Sequence, residues 1–272
     1  MSTLGELYRT AFVTGASTGL GRAFAEMLLA EGVETWGTSR DGTRLPARAR
    51  FHAVALDLVD GDAAERTFLD ADRAAGGFDI LINNAGYGVF GGFTATEFAV
   101  WRAQLDVMLV NAARLAQLAL RGMLARDRGA LVNVSSGAAQ FPLPFQAAYN
   151  MAKSGLSALS ESLMVEAAGT GVFVIDFRPG DYRTDFEGSV RRVPEAFTPR
   201  QQRVWEAFAA MMRSGPQPAR AAASLRRALH RRRSGTVRTG RFFQAVAGPF
   251  LARLGPASWV RAFLARYFKS AP

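Results

Sequence analysis

Short apolar segments rich in β-branched and aromatic residues alternate along the chain with longer segments of helical spacing. Residues 21–30 and 98–126 repeat apolar positions with the period of an amphipathic helix. Strands that alternate with helices predict βαβ units, in which helices cover both faces of a parallel sheet. We therefore predict an α/β fold with one doubly wound, mostly parallel sheet of seven strands. The predicted strands read RTAFVTG, VETWGTS, FHAVALD, FDILINN, GALVNVSS, GVFVIDFRPG and, more weakly, SGTVRTG around Val237.

The 272 residues contain no repeat, low-complexity tract or linker rich in Pro, Gly and Ser. We interpret residues 1–272 as a single domain. Residues 185–218 interrupt the alternation where the carboxyl edge of a strand is expected, and we interpret them as an inserted helical lid. Residues 241–272 form a basic, amphipathic C-terminal extension.

Composition excludes several kinds of site. Cysteine is absent, which rules out disulfides, thiolate metal ligands and cysteine nucleophiles, and the two histidines argue against a metal cluster or a histidine-based triad. We expect no metal. The N-terminus lacks a signal-peptide pattern, and no uninterrupted apolar run reaches the roughly 18–20 residues that span a bilayer. A cytoplasmic protein is expected.

The formal net charge of +10 is concentrated near the C-terminus. Residues 207–272 hold 13 of the 33 lysines and arginines and no Asp or Glu, which leaves 20 basic and 23 acidic residues elsewhere. Such a segment fits an anionic partner, although an arginine-rich composition also accounts for part of the charge. The run LRRALHRRRSG lacks interleaved aromatic residues and a recognition motif, so we expect no nucleic-acid partner.

The last thirty residues repeat apolar positions at helical spacing with cations between them. Three interpretations are open: an amphipathic helix lying peripherally on an anionic membrane, a contact between subunits, or a helix packed on its own domain. The apolar positions are Trp259, Val260, Phe263, Leu264, Tyr267 and Phe268, and the cations are Arg261, Arg266 and Lys269.

A glycine-rich turn, TGASTGLG, follows the first predicted strand and leads into a helix. Gly15, Gly19 and Gly21 let the backbone turn tightly and approach a pyrophosphate, and the helix N-terminus adds free N–H groups and a favourable dipole. The GxxxGxG spacing differs from GxGxxG. Its position between strand and helix predicts a phosphate site.

Four further motifs follow in order: NNAG at residues 83–86, NVSS at 133–136, YNMAK at 149–153 and RPGDYRT at 178–184. Ser136 precedes Tyr149 by thirteen residues. The ordered set resembles the short-chain dehydrogenase/reductase family over residues 9–184. The resemblance implies a Rossmann-type fold, a homodimer or homotetramer, and catalytic roles for Ser136, Tyr149 and Lys153. It implies a cofactor site formed by Gly15, Ser17, Thr18, Gly19, Leu20, Gly21, Ser39, Arg40, Asp57, Leu58, Asn84, Ala85, Gly86, Tyr149, Lys153, Pro179, Gly180 and Thr184.

The physical chemistry of Tyr149 and Lys153 agrees with this resemblance. Residues i and i+4 share one helix face, and a neighbouring ammonium and nicotinamide are expected to lower a tyrosine pKa from near 10. Only two of the 33 basic residues are lysines, Lys153 and Lys269. A compact point charge suits a ribose contact and a proton relay better than a planar guanidinium does. Ser136 is placed to hydrogen-bond the same substrate oxygen.

Cofactor choice depends on the end of the second strand, TWGTSRDG. An acidic residue there would bind a ribose 2′-hydroxyl and repel a 2′-phosphate. Here Ser39 and Arg40 hold the end positions and Asp41 follows. The charge and the resemblance to NADP-preferring members favour NADP(H) over NAD(H), with arginine-rich composition as the competing explanation of Arg40.

One position departs from the family pattern. The family places an asparagine in the helix before NVSS, where it holds a water of the proton relay, and Met108 occupies that position here. A thioether cannot replace an amide that both donates and accepts hydrogen bonds. Asn111 lies three residues later and would substitute if the helix were locally distorted; the alternative is a weakened or rerouted relay.

The resemblance implies that the lid, residues 185–218, binds the substrate. Apolar residues in and near the lid predict a large lipophilic cavity. They are Tyr87, Val89, Phe90, Phe141, Phe145, Phe186, Val193, Phe197, Val204, Trp205, Phe208, Met211 and Met212, for each of which core packing is the competing role. The leading hypothesis is an NADP(H)-dependent oxidoreductase acting on a lipophilic ketone or secondary alcohol. A reductase of a 3-oxoacyl-type thioester and a catalytically impaired cofactor-binding scaffold are the alternatives.

Overall fold

The sheet of the computed structural model contains seven parallel strands, which confirms the predicted fold class. The structure describes residues 2–45, 47–193, 197–248, 250 and 256–270. The strand order is β3-β2-β1-β4-β6-β7-β9, and β5 and β8 form a separate pair. The strands are β1 (Thr10–Val13), β2 (Glu34–Ser39), β3 (Phe51–Ala55), β4 (Ile80–Asn83), β5 (Val89–Gly91), β6 (Gly129–Val134), β7 (Val172–Pro179), β8 (Arg191–Val193) and β9 (Gly235–Thr239).

The central strands are apolar because both of their faces are covered. Every residue of β1, β4 and β6 is buried, as expected for parallel strands between two helical layers. The chain runs outward from β1 to β3 and then crosses to β4 on the other side of β1. Strand order therefore reverses between β1 and β4, which opens a crevice at their carboxyl ends.

Helices form a layer on each face of the sheet. One layer includes α2 and α9 and packs around Phe24, Leu28 and Leu225. The other includes α3 and α5 and packs around Phe68 and Leu115. The helices are α1 (Leu4–Leu7), α2 (Gly19–Ala30), α3 (Gly61–Ala75), α4 (Phe98–Leu105), α5 (Asn111–Ala125), α6 (Ala147–Glu166), α7 (Phe186–Ser189), α8 (Pro199–Arg213), α9 (Pro218–Arg231) and the C-terminal helix (Ala257–Tyr267).

Helices α4 and α5 are continuous through a π-helical turn, Asp106–Val110. By length and composition the combined helix, Phe98–Ala125, passes as a membrane-spanning candidate, with half of its most apolar stretch buried inside the domain. Charged residues such as Arg102, Asp106 and Arg114 interrupt its apolar positions, so the expectation of no uninterrupted apolar run long enough to span a bilayer stands. Its contacts with the sheet and with α3 and α6 identify it as a core helix.

The predicted lid, residues 185–218, is less helical than the sequence suggests. It contains α7, the strand β8 and α8, while residues 194–196 lie outside the described residues. Strand β8 pairs in parallel with β5. A Cβ at Gly91 would lie 2.2 Å from the Val193 carbonyl oxygen, so only glycine permits this approach.

The C-terminal extension packs on its own domain. Its described parts, residues 241–248 and 256–270, are here called the C-terminal cap. They contain a π-helical turn, Phe243–Ala247, and the C-terminal helix. Leu264 and Phe268 pack into a cluster with Phe208 of α8. Of the three interpretations of the tail, packing on its own domain is the one seen directly.

Candidate active site

The glycine turn after β1 forms a tight backbone cradle at the crevice. Gly15 and Gly19 have φ values of +67° and +55°, which favour glycine. A Cβ at Gly21 would lie 2.1 Å from the Gly15 carbonyl oxygen. The Asn84 amide, at the end of β4, donates hydrogen bonds to the carbonyls of Thr14 (2.9 Å) and Gly15 (3.2 Å). Asn84 therefore fixes the turn from the neighbouring strand.

A cavity of about 1400 Å³ runs from this turn across the sheet edge. Every predicted cofactor-binding residue except Gly21 lines it, and Gly21 instead permits the close packing behind the turn. The loop after β2 places Arg40 and Arg44 on the wall. Arg44 was missed because the sequence reading stopped at the first positions after the strand. The donor set and the glycine cradle fit a dinucleotide, which would lie along the crevice with its pyrophosphate at the α2 N-terminus.

The three predicted catalytic side chains meet in this cavity. Ser136 lies two residues after the end of β6, and Tyr149 and Lys153 lie one turn apart on α6. The Ser136 hydroxyl and the Tyr149 phenol are hydrogen-bonded. Lys153 Nζ lies 5.9 Å from the Tyr149 ring centroid and donates a 2.7 Å hydrogen bond to the Val134 carbonyl. The arrangement places a hydroxyl, a phenol and an ammonium around one point.

Burial shifts the pKa values of both Tyr149 and Lys153. Burial raises the pKa of Tyr149 to about 12, while the hydrogen bond from Ser136 lowers it and the negative charge of Asp181 raises it further. Burial also lowers the pKa of Lys153 to about 8, against the opposing effect of Asp176. The expectation that the ammonium lowers the Tyr149 pKa is wrong for the protein alone, because burial raises this pKa and the group that opposes burial is Ser136 and not Lys153. At neutral pH the phenol is therefore protonated and ready to act as a proton donor.

A buried carboxylate behind Lys153 escaped the sequence reading. Asp176 on β7 is fully buried and accepts hydrogen bonds from Ser135, from Ser157 (2.7 Å) and from Arg178 Nε (2.6 Å). These donors stabilise its negative charge. A lone acidic residue inside the apolar segment FVIDF is the signal that could have revealed it. Its charge favours the protonated form of Lys153.

The surroundings of Met108 and Asn111 show whether Asn111 takes the place of the relay asparagine that is absent at Met108. The π-helical turn supplies the local distortion that would let Asn111 substitute, but the Asn111 amide donates to the Leu58 carbonyl (2.8 Å) and is buried there. Met108 is buried, lines the cavity and lies against Gly86. No amide thus replaces the relay asparagine at Met108 or Asn111, and the Lys153 ammonium instead contacts the Val134 carbonyl.

We expect the substitution Asn111→Ala to lower the free energy of unfolding by about 1–3 kcal/mol, because it leaves the buried Leu58 carbonyl without its donor. Urea denaturation of the folded protein measures this change. An exposed position on the same helix, Arg121→Ala, serves as the control. Equal stability of the Asn111 variant and the wild type would contradict this structural role.

The apolar half of the cavity differs from the prediction. Of the predicted residues, five line it: Tyr87, Phe141, Phe186, Phe208 and Met212. The others pack in two clusters in which lid residues contact β5 and its neighbours, next to the pairing of β5 with β8. They are Val89, Phe90, Phe145, Val193, Phe197, Val204, Trp205 and Met211. The C-terminal cap supplies the remaining wall with Phe243, Gln244, Gly248, Trp259, Val260, Phe263, Leu264, Tyr267 and Phe268.

Asp181 ties the C-terminal cap to the catalytic end of the cavity. The Asp181 N–H donates to Gln244 Oε1 (3.1 Å), and Gln244 Nε2 donates back to the Asp181 carboxylate. A Cβ at Gly180 would lie 2.4 Å from Gln244 Oε1, so a larger residue there would displace the Gln244 side chain. Burial raises the pKa of Asp181, against the effects of Gln244 and Arg241. These long-range contacts have no sequence signal.

Comparison with known proteins agrees with the geometry. Residues 9–194 match the short chain dehydrogenase family. An uncharacterized oxidoreductase of Myxococcus xanthus is 38% identical over 192 residues, covering 65% of this chain and 74% of that protein. An uncharacterized oxidoreductase of Schizosaccharomyces pombe is 31% identical over 185 residues, covering 67% of this chain and 63% of that protein.

Solved structures show the same fold over nearly the whole chain. A short-chain dehydrogenase from Streptomyces avermitilis superposes with a TM-score of 0.81 at 30% identity and covers 96% of both chains. The family assignment rests on the order of the motifs, on their convergence in one crevice and on these similarities to known proteins. The chain is an oxidoreductase that belongs to the short-chain dehydrogenase/reductase family.

Proposed function

We propose that this protein transfers hydride between NADP(H) and a lipophilic ketone or secondary alcohol, with Tyr149 as the general acid and base. The observation that carries the proposal is the single cavity in which Ser136, Tyr149 and Lys153 adjoin a wall of aromatic side chains. Its apolar surface favours a substrate whose body is hydrophobic and whose carbonyl alone is polar.

Charge at the end of β2 supports the preference for NADP(H). Arg40 and Arg44 both line the cavity, and no carboxylate among the described residues lies within ion-pair distance of either. The pKa of Asp41 is lowered chiefly by its hydrogen bonds with Thr43 and to a smaller extent by the charge of Arg44. The Asp41 carboxylate is turned to its own loop, where it accepts a hydrogen bond from the Thr43 N–H (3.1 Å). Two available guanidinium groups suit a 2′-phosphate. A related structure from Burkholderia phymatum, 25% identical, contains NAD, so the shared fold leaves this choice to the local residues.

Replacing both arginines, Arg40→Ala with Arg44→Ala, should raise the KM for NADPH about 10-fold to 100-fold, since a hydrogen bond to a charged group contributes about 1.5–3 kcal/mol. The KM for NADH should change little, because NADH lacks the 2′-phosphate. Steady-state kinetics with both cofactors measures the two values. Arg48→Ala, an exposed neighbour outside the cavity, is the matched control. Equal increases for both cofactors would contradict a 2′-phosphate contact.

The catalytic residues divide the work of carbonyl reduction. The bound cofactor supplies the hydride. Ser136 orients the substrate oxygen, and the Tyr149 hydroxyl donates the proton that this oxygen requires as the carbonyl carbon is reduced. Lys153 is positioned to supply positive charge beside the phenolate that remains, and it contacts the Val134 carbonyl rather than an asparagine relay. In the reverse direction the phenolate removes the alcohol proton.

A reductase of 3-oxoacyl thioesters is the second candidate. A 3-oxoacyl-[acyl-carrier-protein] reductase of Vibrio harveyi is 31% identical over 182 residues, covering 65% of this chain and 75% of that protein. The basic C-terminal segment would suit an anionic carrier.

A substrate panel distinguishes the candidates through the oxidation of NADPH at 340 nm. The proposal expects aromatic and long-chain ketones to have higher kcat/KM values than acetoacetyl-CoA. The opposite ranking would favour the thioester candidate. Tight NADPH binding without turnover across the panel would favour a scaffold in which the relay has been lost at Met108.

A further inference from the structure

The outer surface of the C-terminal cap and the nearby Phe250 expose large apolar side chains. Phe242, Phe250 and Trp259 are 73%, 63% and 70% exposed, and Val246 and Phe263 are 52% and 42% exposed. Isolated exposed apolar residues are common on proteins, but a cluster on one short segment marks an interaction site.

The opposite face of the C-terminal helix already holds it to the domain. Leu264 and Phe268 face inward and pack with Phe208, whereas Trp259 and Phe263, one turn apart, face outward. The Phe243 ring lies against that of Phe263 in a tilted arrangement, with their ring centroids 5.5 Å apart. Much of the surface of Trp259 and Phe263 is nevertheless left in solvent, and this exposure indicates a partner.

The charges around these residues indicate the chemistry of that partner. Arg261, Arg266 and Lys269 are exposed, and no carboxylate among the described residues lies within ion-pair distance of them. Residues 207–272 contain no Asp or Glu. A second copy of this cap would bring like charges together, which disfavours it as the occupant. Aromatic side chains interspersed with cations match an anionic lipid surface.

The exposed aromatic residues of the C-terminal cap lie next to the opening of the cavity. Trp259 and Phe263 are exposed and also line the cavity, so they stand at its mouth. We propose that the C-terminal cap docks on an anionic lipid bilayer and that the cavity opens toward the bilayer, so that an apolar substrate enters from the lipid. The entry of substrate rests on the proposed lipophilic substrate. Docking itself is measured without turnover.

The test is co-sedimentation of the full chain with vesicles at low salt. Vesicles of phosphatidylglycerol and phosphatidylcholine should bind the protein, and phosphatidylcholine alone should bind it more weakly. The double variant Arg261→Glu with Arg266→Glu should lower the partition coefficient at least about tenfold, because binding of basic segments depends on attraction to anionic headgroups. The double variant Trp259→Ser with Phe263→Ser should also lower the partition coefficient, because it removes apolar side chains that would enter the bilayer.

A matched charge reversal on another surface controls for net charge. Arg66 and Arg121 are exposed on α3 and α5, and their double reversal to glutamate should keep vesicle binding near that of the wild type. Circular dichroism checks that each variant is folded. The proposal is overturned if the wild type does not bind anionic vesicles, or if both charge reversals reduce binding equally. It is also overturned if sedimentation shows a dimer, lost in the Trp259 and Phe263 variant, that binds no vesicles.

Discussion

The substitution Tyr149→Phe should lower kcat for ketone reduction by about 10²–10⁴-fold while NADPH binding is retained, since a positioned general acid contributes about that factor. Tyr149 is 9% exposed, its hydroxyl is hydrogen-bonded to Ser136, and burial raises its pKa to about 12. Removal of one oxygen leaves the ring packing intact but removes the proton donor. Single-turnover reduction and fluorescence titration with NADPH measure the two properties separately.

The control for this variant is Tyr8→Phe. Tyr8 is buried on the α1 side of the sheet, where its hydroxyl donates a hydrogen bond to the Leu229 carbonyl (3.1 Å). This change should cost about 1 kcal/mol of stability without affecting turnover. If Tyr149→Phe retained more than a tenth of the wild-type kcat, the proton would come from another group and the proposed role of Tyr149 would be wrong.

Local signals were sufficient to predict the fold and the polar half of the site. In a parallel sheet, strand ends that carry Gly15, Asn84, Ser136 and Gly180 meet at one edge, so the order of the motifs already implies their convergence. Tyr149 and Lys153 share a helix face at any orientation of the helix. These relations depend on strand polarity and helical period, both of which are visible in the sequence.

The apolar half could not be predicted because long-range packing determines it. Phe90 of β5 contacts Trp205 of the lid, with 5.3 Å between ring centroids. The lid is joined to this part of the fold by the pairing of β5 with β8, two three-residue strands with no periodic signal. The C-terminal helix could be predicted as amphipathic, but its spacing does not state which surface its apolar face covers. The Gln244 contact with Asp181 joins residues 63 positions apart in the chain.

The pKa values of the catalytic residues also depend partly on local spacing and partly on long-range packing. The spacing of Tyr149 and Lys153 indicates that an ammonium lies near a phenol, and from this a lowered tyrosine pKa was expected. The degree of burial of the two groups, which depends on the whole domain, raises the Tyr149 pKa and lowers that of Lys153. The proton donor is therefore ready at neutral pH for reduction, whereas oxidation requires a further source of stabilisation for the phenolate.

The pH dependence of ketone reduction should report Lys153. Because its pKa in the folded protein is lowered to about 8, its ammonium is present below that pH and is lost above it, so kcat/KM should fall as the pH rises through about 8. The Tyr149 phenol, with a pKa of about 12, stays protonated across this range. Initial rates with NADPH between about pH 6 and 10 measure the profile.

Two substitutions test whether both the charge and the shape of Lys153 are required. Lys153→Met should lower kcat/KM by about 100-fold or more and remove the fall near pH 8, because no group is left to deprotonate. Lys153→Arg keeps a charge to high pH but forces a planar guanidinium into a site that is 4% exposed and fitted to one donor bond to Val134. It should also lose about 100-fold and show no fall, since misplacement by about 1 Å costs that much. A Lys153→Arg variant with wild-type kcat/KM would show that charge alone suffices, and a fall near pH 8 that persists in Lys153→Met would assign it to another group.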